Sequence, residues 1–138
     1  MTDQEKPPAD SVFGPVIYSY TRKQAIEDGV LIDVSKVAPD LVQNAGIKLH
    51  VAMTREVWDE YVQVPEGVIG QDWKGRLWDI LFMFTAQARR AKEASEVLFQ
   101  LYVQNDPRRR AQPVTLKAVC GPDDAGKPCV TILTPAQD

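Results

Sequence analysis

Hydrophobic spacing changes regime twice along the chain, and the changes divide it into recognisable elements. Residues 1–11 hold two prolines, several charges and little that can pack, which predicts a disordered leader. Val12 to Tyr18 is apolar but contains Gly14 and Pro15; a proline has no amide to donate, so an extended or turn segment is expected. Thr21 followed by Gln24 has the pattern of a capping box, and Gly29 stands where a helix can stop in the left-handed conformation. The helix between them has only Ala25 and Ile26 as apolar anchors. Val30 to Val34 reads as a strand, and Ser35 is placed to cap a short helical turn reaching about Val42. From Ile47 to Met53 the period is two: Ile47, Leu49, Val51 and Met53 on one face, Lys48, His50 and Ala52 on the other.

The period then becomes helical. Thr54 is positioned to cap a helix from Arg55 to about Val64, with Val57, Trp58, Tyr61 and Val62 as its apolar stripe. Pro65 and Gly67 end it. The broadest apolar face lies between Trp73 and Ala91, where Trp73, Leu77, Ile80, Leu81 and Phe84 align. Arg76, Asp79, Gln87 and Arg90 form its polar strip, so this is the expected core helix. Beyond it, Val97, Phe99, Leu101 and Val103 alternate with Leu98, Gln100, Tyr102 and Gln104. Val114 to Cys120 and Cys129 to Thr134 are two more strands, and the turn-forming stretch from Gly121 to Pro128 joins them as an antiparallel hairpin. The expected fold is α+β: a single domain over 12–138, with short N-terminal helices and strands and one long core helix, packed on a C-terminal three-stranded antiparallel meander.

Composition narrows the class. With 138 residues, 44% hydrophobic and 25% charged, the chain is long enough to bury a core without metal or disulfide staples. Its start is polar and mildly acidic, not a basic start followed by an apolar run, and Leu77 to Phe84 is far too short to span a bilayer. A soluble cytoplasmic protein with no membrane partner is expected. The net charge of −3 is unevenly spread: Thr85 to Lys117 carries a local +4 and the rest −7. Such asymmetry bears on electrostatic partners and not on fold.

Four passages fix a resemblance: Val12 to Ser35, Gly75-Arg-Leu-Trp-Asp-Ile-Leu81, Val97-Leu-Phe-Gln-Leu-Tyr102, and Val114 to Pro122. Together the chain resembles a family of small uncharacterised proteins carried by bacterial plasmids, integrative elements and phages. The resemblance implies a bacterial, mobile-element setting. It implies no activity and carries no functional residue.

Candidate chemistry is sparse. The single histidine, His50, falls on the polar face of a strand with no nucleophile spaced to it, so a solvent-facing side chain is expected in preference to a general base. Cys120 and Cys129 flank the last hairpin loop; two thiols and one histidine make a poor zinc set, and reduced packing residues are expected. The acidic pairs Glu27-Asp28, Asp59-Glu60 and Asp123-Asp124 lack calcium-loop spacing and read as solvated faces and a turn. The sharpest positive feature is Arg108-Arg109-Arg110, which Arg89 and Arg90 at the end of the core helix can reinforce; such groups suit nucleic-acid phosphates or an acidic protein partner. Tyr18, Tyr20 and Arg22 form an aromatic–basic cluster of the kind that anchors protein interfaces.

No motif calls for a cofactor or a metal. The reading is a non-catalytic protein-binding or regulatory accessory factor. A nucleic-acid-binding factor using the basic turn is the first alternative, and an enzyme with a carboxylate- or tyrosine-based site the second. Edge strands of the C-terminal sheet also leave a homo-oligomer open.

Overall fold

The structure, a computed structural model, describes residues 21–92 and 94–137. The predicted leader, the Val12–Tyr18 segment and both Tyr18 and Tyr20 lie outside them.

Three short helical pieces and two strands come first: α1 (Arg22–Glu27), β1 (Leu31–Asp33), α2 (Val34–Val37), α3 (Pro39–Asn44) and β2 (His50–Thr54). α4 (Arg55–Val57) runs directly into a π-helical turn, Trp58–Val62, and α5 (Trp73–Arg90) follows. The chain closes with β3 (Glu96–Val103), β4 (Gln112–Pro122) and β5 (Pro128–Leu133).

The strands form one five-stranded mixed sheet in the order β1-β2-β5-β4-β3, which corrects the expected three-stranded meander. β3, β4 and β5 do pair antiparallel in sequence. β2 then adds to β5 in parallel, Val51 beside Val130 and Met53 beside Ile132, and β1 adds antiparallel to β2. The parallel pair joins residues nearly eighty positions apart. Hydrophobic period fixes which face of each strand is buried and not which strand lies alongside.

Local corrections have local causes. Ser35 caps nothing: Asp33 accepts from the Lys36 amide at 3.1 Å and starts α2, while the Ser35 hydroxyl accepts from the Val51 amide at 2.8 Å and ties α2 to β2. A separate α3 begins at Pro39, whose fixed φ and missing donor suit a first helical position. The predicted Arg55–Val64 helix is three α residues and a π turn. The wider turn holds Tyr61 half-buried and Val62 buried while Trp58 stacks on Trp73, ring centroids 5.7 Å apart.

One face of the sheet carries the core. Val51, Met53, Phe99, Leu101, Leu116, Ala118, Val130 and Ile132 meet Leu77, Ile80, Leu81 and Phe84 of α5 in a single cluster. Burying such side chains contributes roughly 1.5–3 kcal/mol each. α1 lies on the other face, where Ala52 is buried in place of the expected exposed position.

Candidate functional site

The helix–hairpin junction holds the densest polar constellation. The capping box forms as the sequence requires: Thr21 Oγ1 accepts from the Gln24 amide and Gln24 Oε1 from the Thr21 amide, both at 3.0 Å. The next two amides, of Arg22 and Lys23, donate to the two carboxylate oxygens of Asp124 at 3.0 Å each. Asp124 thus clasps the start of α1 to the β4–β5 loop. Asp123 organises that loop by accepting from the Ala125 and Lys127 amides at 2.9 Å. The Lys127 amide hydrogen bond is the main reason its carboxyl lies below the usual carboxylate range.

Arg22 reaches from α1 onto the sheet. Its guanidinium donates to Thr131 Oγ1, to the Val130 carbonyl at 2.9 Å and to His50 Nδ1 at 3.4 Å. His50 Nε2 lies 2.8 Å from Asp33 Oδ1, the oxygen that also caps α2. With Nε2 donating to Asp33, Nδ1 accepts from Arg22, an assignment made from the hydrogen-bond network. A cleft of about 310 Å³ opens beside this chain of contacts, bordered by Lys23, Glu27 and Asp124.

The histidine is therefore not solvent-facing in the sense expected. It is half-buried, with Nε2 bonded to Asp33 and Nδ1 3.4 Å from Arg22, and together with both partners it lines the cleft. Arg22 commits both terminal guanidinium nitrogens to these contacts, while its Nε is buried without a hydrogen-bond partner. The constellation is a latch that ties α1, β1, β2 and β5 together.

The cysteines are apart. Register sets Cys120 opposite Val130 and Cys129 opposite Gly121, so their side chains leave opposite faces of the sheet. Both are free thiols, and burial pushes both pKa values up, which keeps them protonated and poorly nucleophilic. Among the described residues no group of three or more His, Cys, Asp or Glu side chains is arranged to hold a metal ion. Of the acidic pairs, Asp59 lies 3.6 Å from Arg55 and the Asp123–Asp124 pair serves the loop.

The two basic groups do not merge. Arg108, Arg109 and Arg110 sit exposed in the β3–β4 turn, which Asp106 shapes by accepting from the Arg108 amide at 2.9 Å. Arg89 and Arg90 are exposed at the far end of α5, which runs antiparallel to β3. Arg76 near the start of α5 meets the Gln104 carbonyl, whereas Arg90 borders the same groove as Leu98. The fourteen residues between Arg76 and Arg90 span about 20 Å of helix.

Arg76 is the residue that sequence reasoning misplaced. Assigned to the polar strip, it is only 6% exposed. It donates to Gln71 Oε1 at 2.8 Å, the Gln63 carbonyl at 3.1 Å, Asn105 Oδ1 at 2.9 Å and the Gln104 carbonyl. The isolated polar spacing of an arginine carries no sign of this; the nearby cluster Gln71, Gln104, Asn105 is the only trace.

A second candidate surface is the free edge of β3. All eight residues pair in unbroken register with β4 on one side, and the strand order leaves the other side unpaired among the described residues. Leu98 and Tyr102 project from its outer face at 58% and 72% exposure. Between this edge and α5 runs a groove of about 450 Å³, bordered by Met83, Gln87, Arg90, Leu98, Phe99 and Gln100. A separate, smaller hollow of about 270 Å³ is bordered by Asp79 and Tyr102.

The molecule is thus a small α+β protein with a mixed sheet, a structural polar latch on one face and an open strand edge. It belongs to the family of unknown function DUF6573, which matches residues 13–138. No curated protein and no solved structure matches it. No helix among the described residues is long and apolar enough to cross a membrane.

Proposed function

We propose that this chain is a non-catalytic protein-binding module, an accessory or regulatory factor of a bacterial mobile genetic element, and that its working surface is the free edge of β3. The β3 edge, unpaired among the described residues, carries this reading. Exposed strand edges are ordinarily blunted by shortness, lysine, proline or a bulge. The opposite edge, β1, has three residues. β3 has eight, no lysine, no proline and no break in register, with Leu98 and Tyr102 exposed along it. Every second residue of such an edge directs an amide and a carbonyl outward, which suits strand addition by an extended segment.

The test is capture from a bacterial lysate, with and without nuclease, by the wild-type protein and by Leu98→Lys/Tyr102→Lys. Both substitutions are at exposed positions, so folding is retained, which circular dichroism checks. The reading expects a protein retained by the wild type after nuclease and lost with the double variant. Equal capture by both, or retention of nucleic acid alone, contradicts it.

A further inference from the structure

We infer that the occupant of the β3 groove is an extended segment with acidic residues at both ends, held by the two arginine groups that bracket the strand. The inference rests on the strand-addition reading above and supplies its partner class. Basic side chains bracket the strand: Arg90, which borders the groove, with Arg89 next to it in sequence, near the start of β3, and the exposed Arg108 to Arg110 in the turn that follows β3. Within the strand the only charge is Glu96, at its first position. The middle is apolar or uncharged: Met83, Leu98, Gln100 and Tyr102.

Three acidic groups temper the field. Asp106 takes up part of Arg108 at 3.4 Å, leaving Arg109 and Arg110 as the outward charges of that turn. Asp79, exposed beside the smaller hollow near Tyr102, and Glu96, exposed at the first position of β3, also oppose an anionic guest. The segment Thr85 to Lys117, which contains β3 and both arginine groups, still carries +4 while the rest of the chain carries −7. A guest with carboxylates at the ends and uncharged, β-prone residues between matches both the charge and the strand geometry. A nucleic acid matches the arginines but not the outward amides and carbonyls of the edge or its apolar middle.

The probe is a fluorescein-labelled synthetic peptide of about twelve residues, enough at 3.3 Å per residue to pass both arginine groups. It carries Asp-Glu at each end and alternating Thr-Val between. A second peptide has Lys in place of every Asp and Glu, and a third ligand is a labelled single-stranded DNA of similar length. Anisotropy at low salt is expected to show binding of the acidic peptide, little of the lysine peptide, and weakening as salt shortens the Debye length. Arg90→Glu and Arg109→Glu/Arg110→Glu are each expected to weaken the acidic peptide by roughly three- to fivefold per reversed charge. Leu98→Lys is expected to weaken all edge binding. Equal binding of both peptides overturns the acidic assignment, and so does DNA bound as tightly as the acidic peptide. If that happens while Leu98→Lys/Tyr102→Lys still loses its lysate partner, the edge reading stands and only the partner class fails; if that partner is also unaffected, both fail.

Discussion

Arg76 shows how much a single side chain can anchor. Its guanidinium satisfies two backbone carbonyls and two amide side chains drawn from the π-turn loop, the α5 start and the end of β3. Arg76→Ala removes every donor at once and leaves those carbonyls without protein partners, at about 2–4 kcal/mol. Urea unfolding is expected to show that loss, with Arg76→Lys recovering only part because an ammonium lacks the planar fork. Asp79 acts in the opposite direction. The residue is exposed, yet partial desolvation against the neighbouring hollow raises its pKa, so the folded state holds this proton to higher pH than the unfolded chain, and a small, solvent-screened part of stability is lost as pH rises through the folded value. Asp79→Asn is therefore expected to raise Tm by roughly 1–2 °C at pH 7 and to make no difference near pH 3, below the ordinary carboxylate value. Melting curves at the two pH values check it; a gain that persists at pH 3 contradicts the assignment.

Elements differ in how far the sequence announces them. α1 is legible because Thr21, Gln24 and Gly29 are chemical signals, and each does what its type allows: a cap, a reciprocal cap, and a stop at φ 79°. α5 and β3 are legible because broad and alternating burial leave distinct periods. The π turn at Trp58–Val62 is not, since its apolar stripe also fits an ordinary helix and only packing of Trp58 on Trp73 separates the two. The polar latch is legible residue by residue and not as a group. Arg22, Asp33, His50 and Asp124 are remote in sequence and meet only after β2 pairs with β5. Its weakest joint is open to test. Asp124→Ala removes the two carboxylate bonds that hold the start of α1, and a cap of this kind contributes about 1 kcal/mol. Amide exchange at Arg22 and Lys23 is expected to accelerate while exchange in β4 and α5 is unchanged; uniform acceleration throughout the chain contradicts a local clasp.

For the molecule as a whole, the decisive event is the parallel β2–β5 pairing, which turns a C-terminal meander into a five-stranded sheet. Among the described residues it gives the outer edges unequal lengths, three residues in β1 and eight in β3, and leaves the longer one unpaired. The central claim is that β3 is the partner-binding edge. Hydrogen exchange of the β3 amides, measured in the free protein and with the captured partner at saturation, tests it most directly. In the free protein, exchange along 97–103 should alternate, slow where the amide bonds β4 and fast where it points outward. With the partner bound, the fast amides should become slow and those of β1 should not change. Unchanged fast exchange along β3 in the partner-saturated protein would contradict the account.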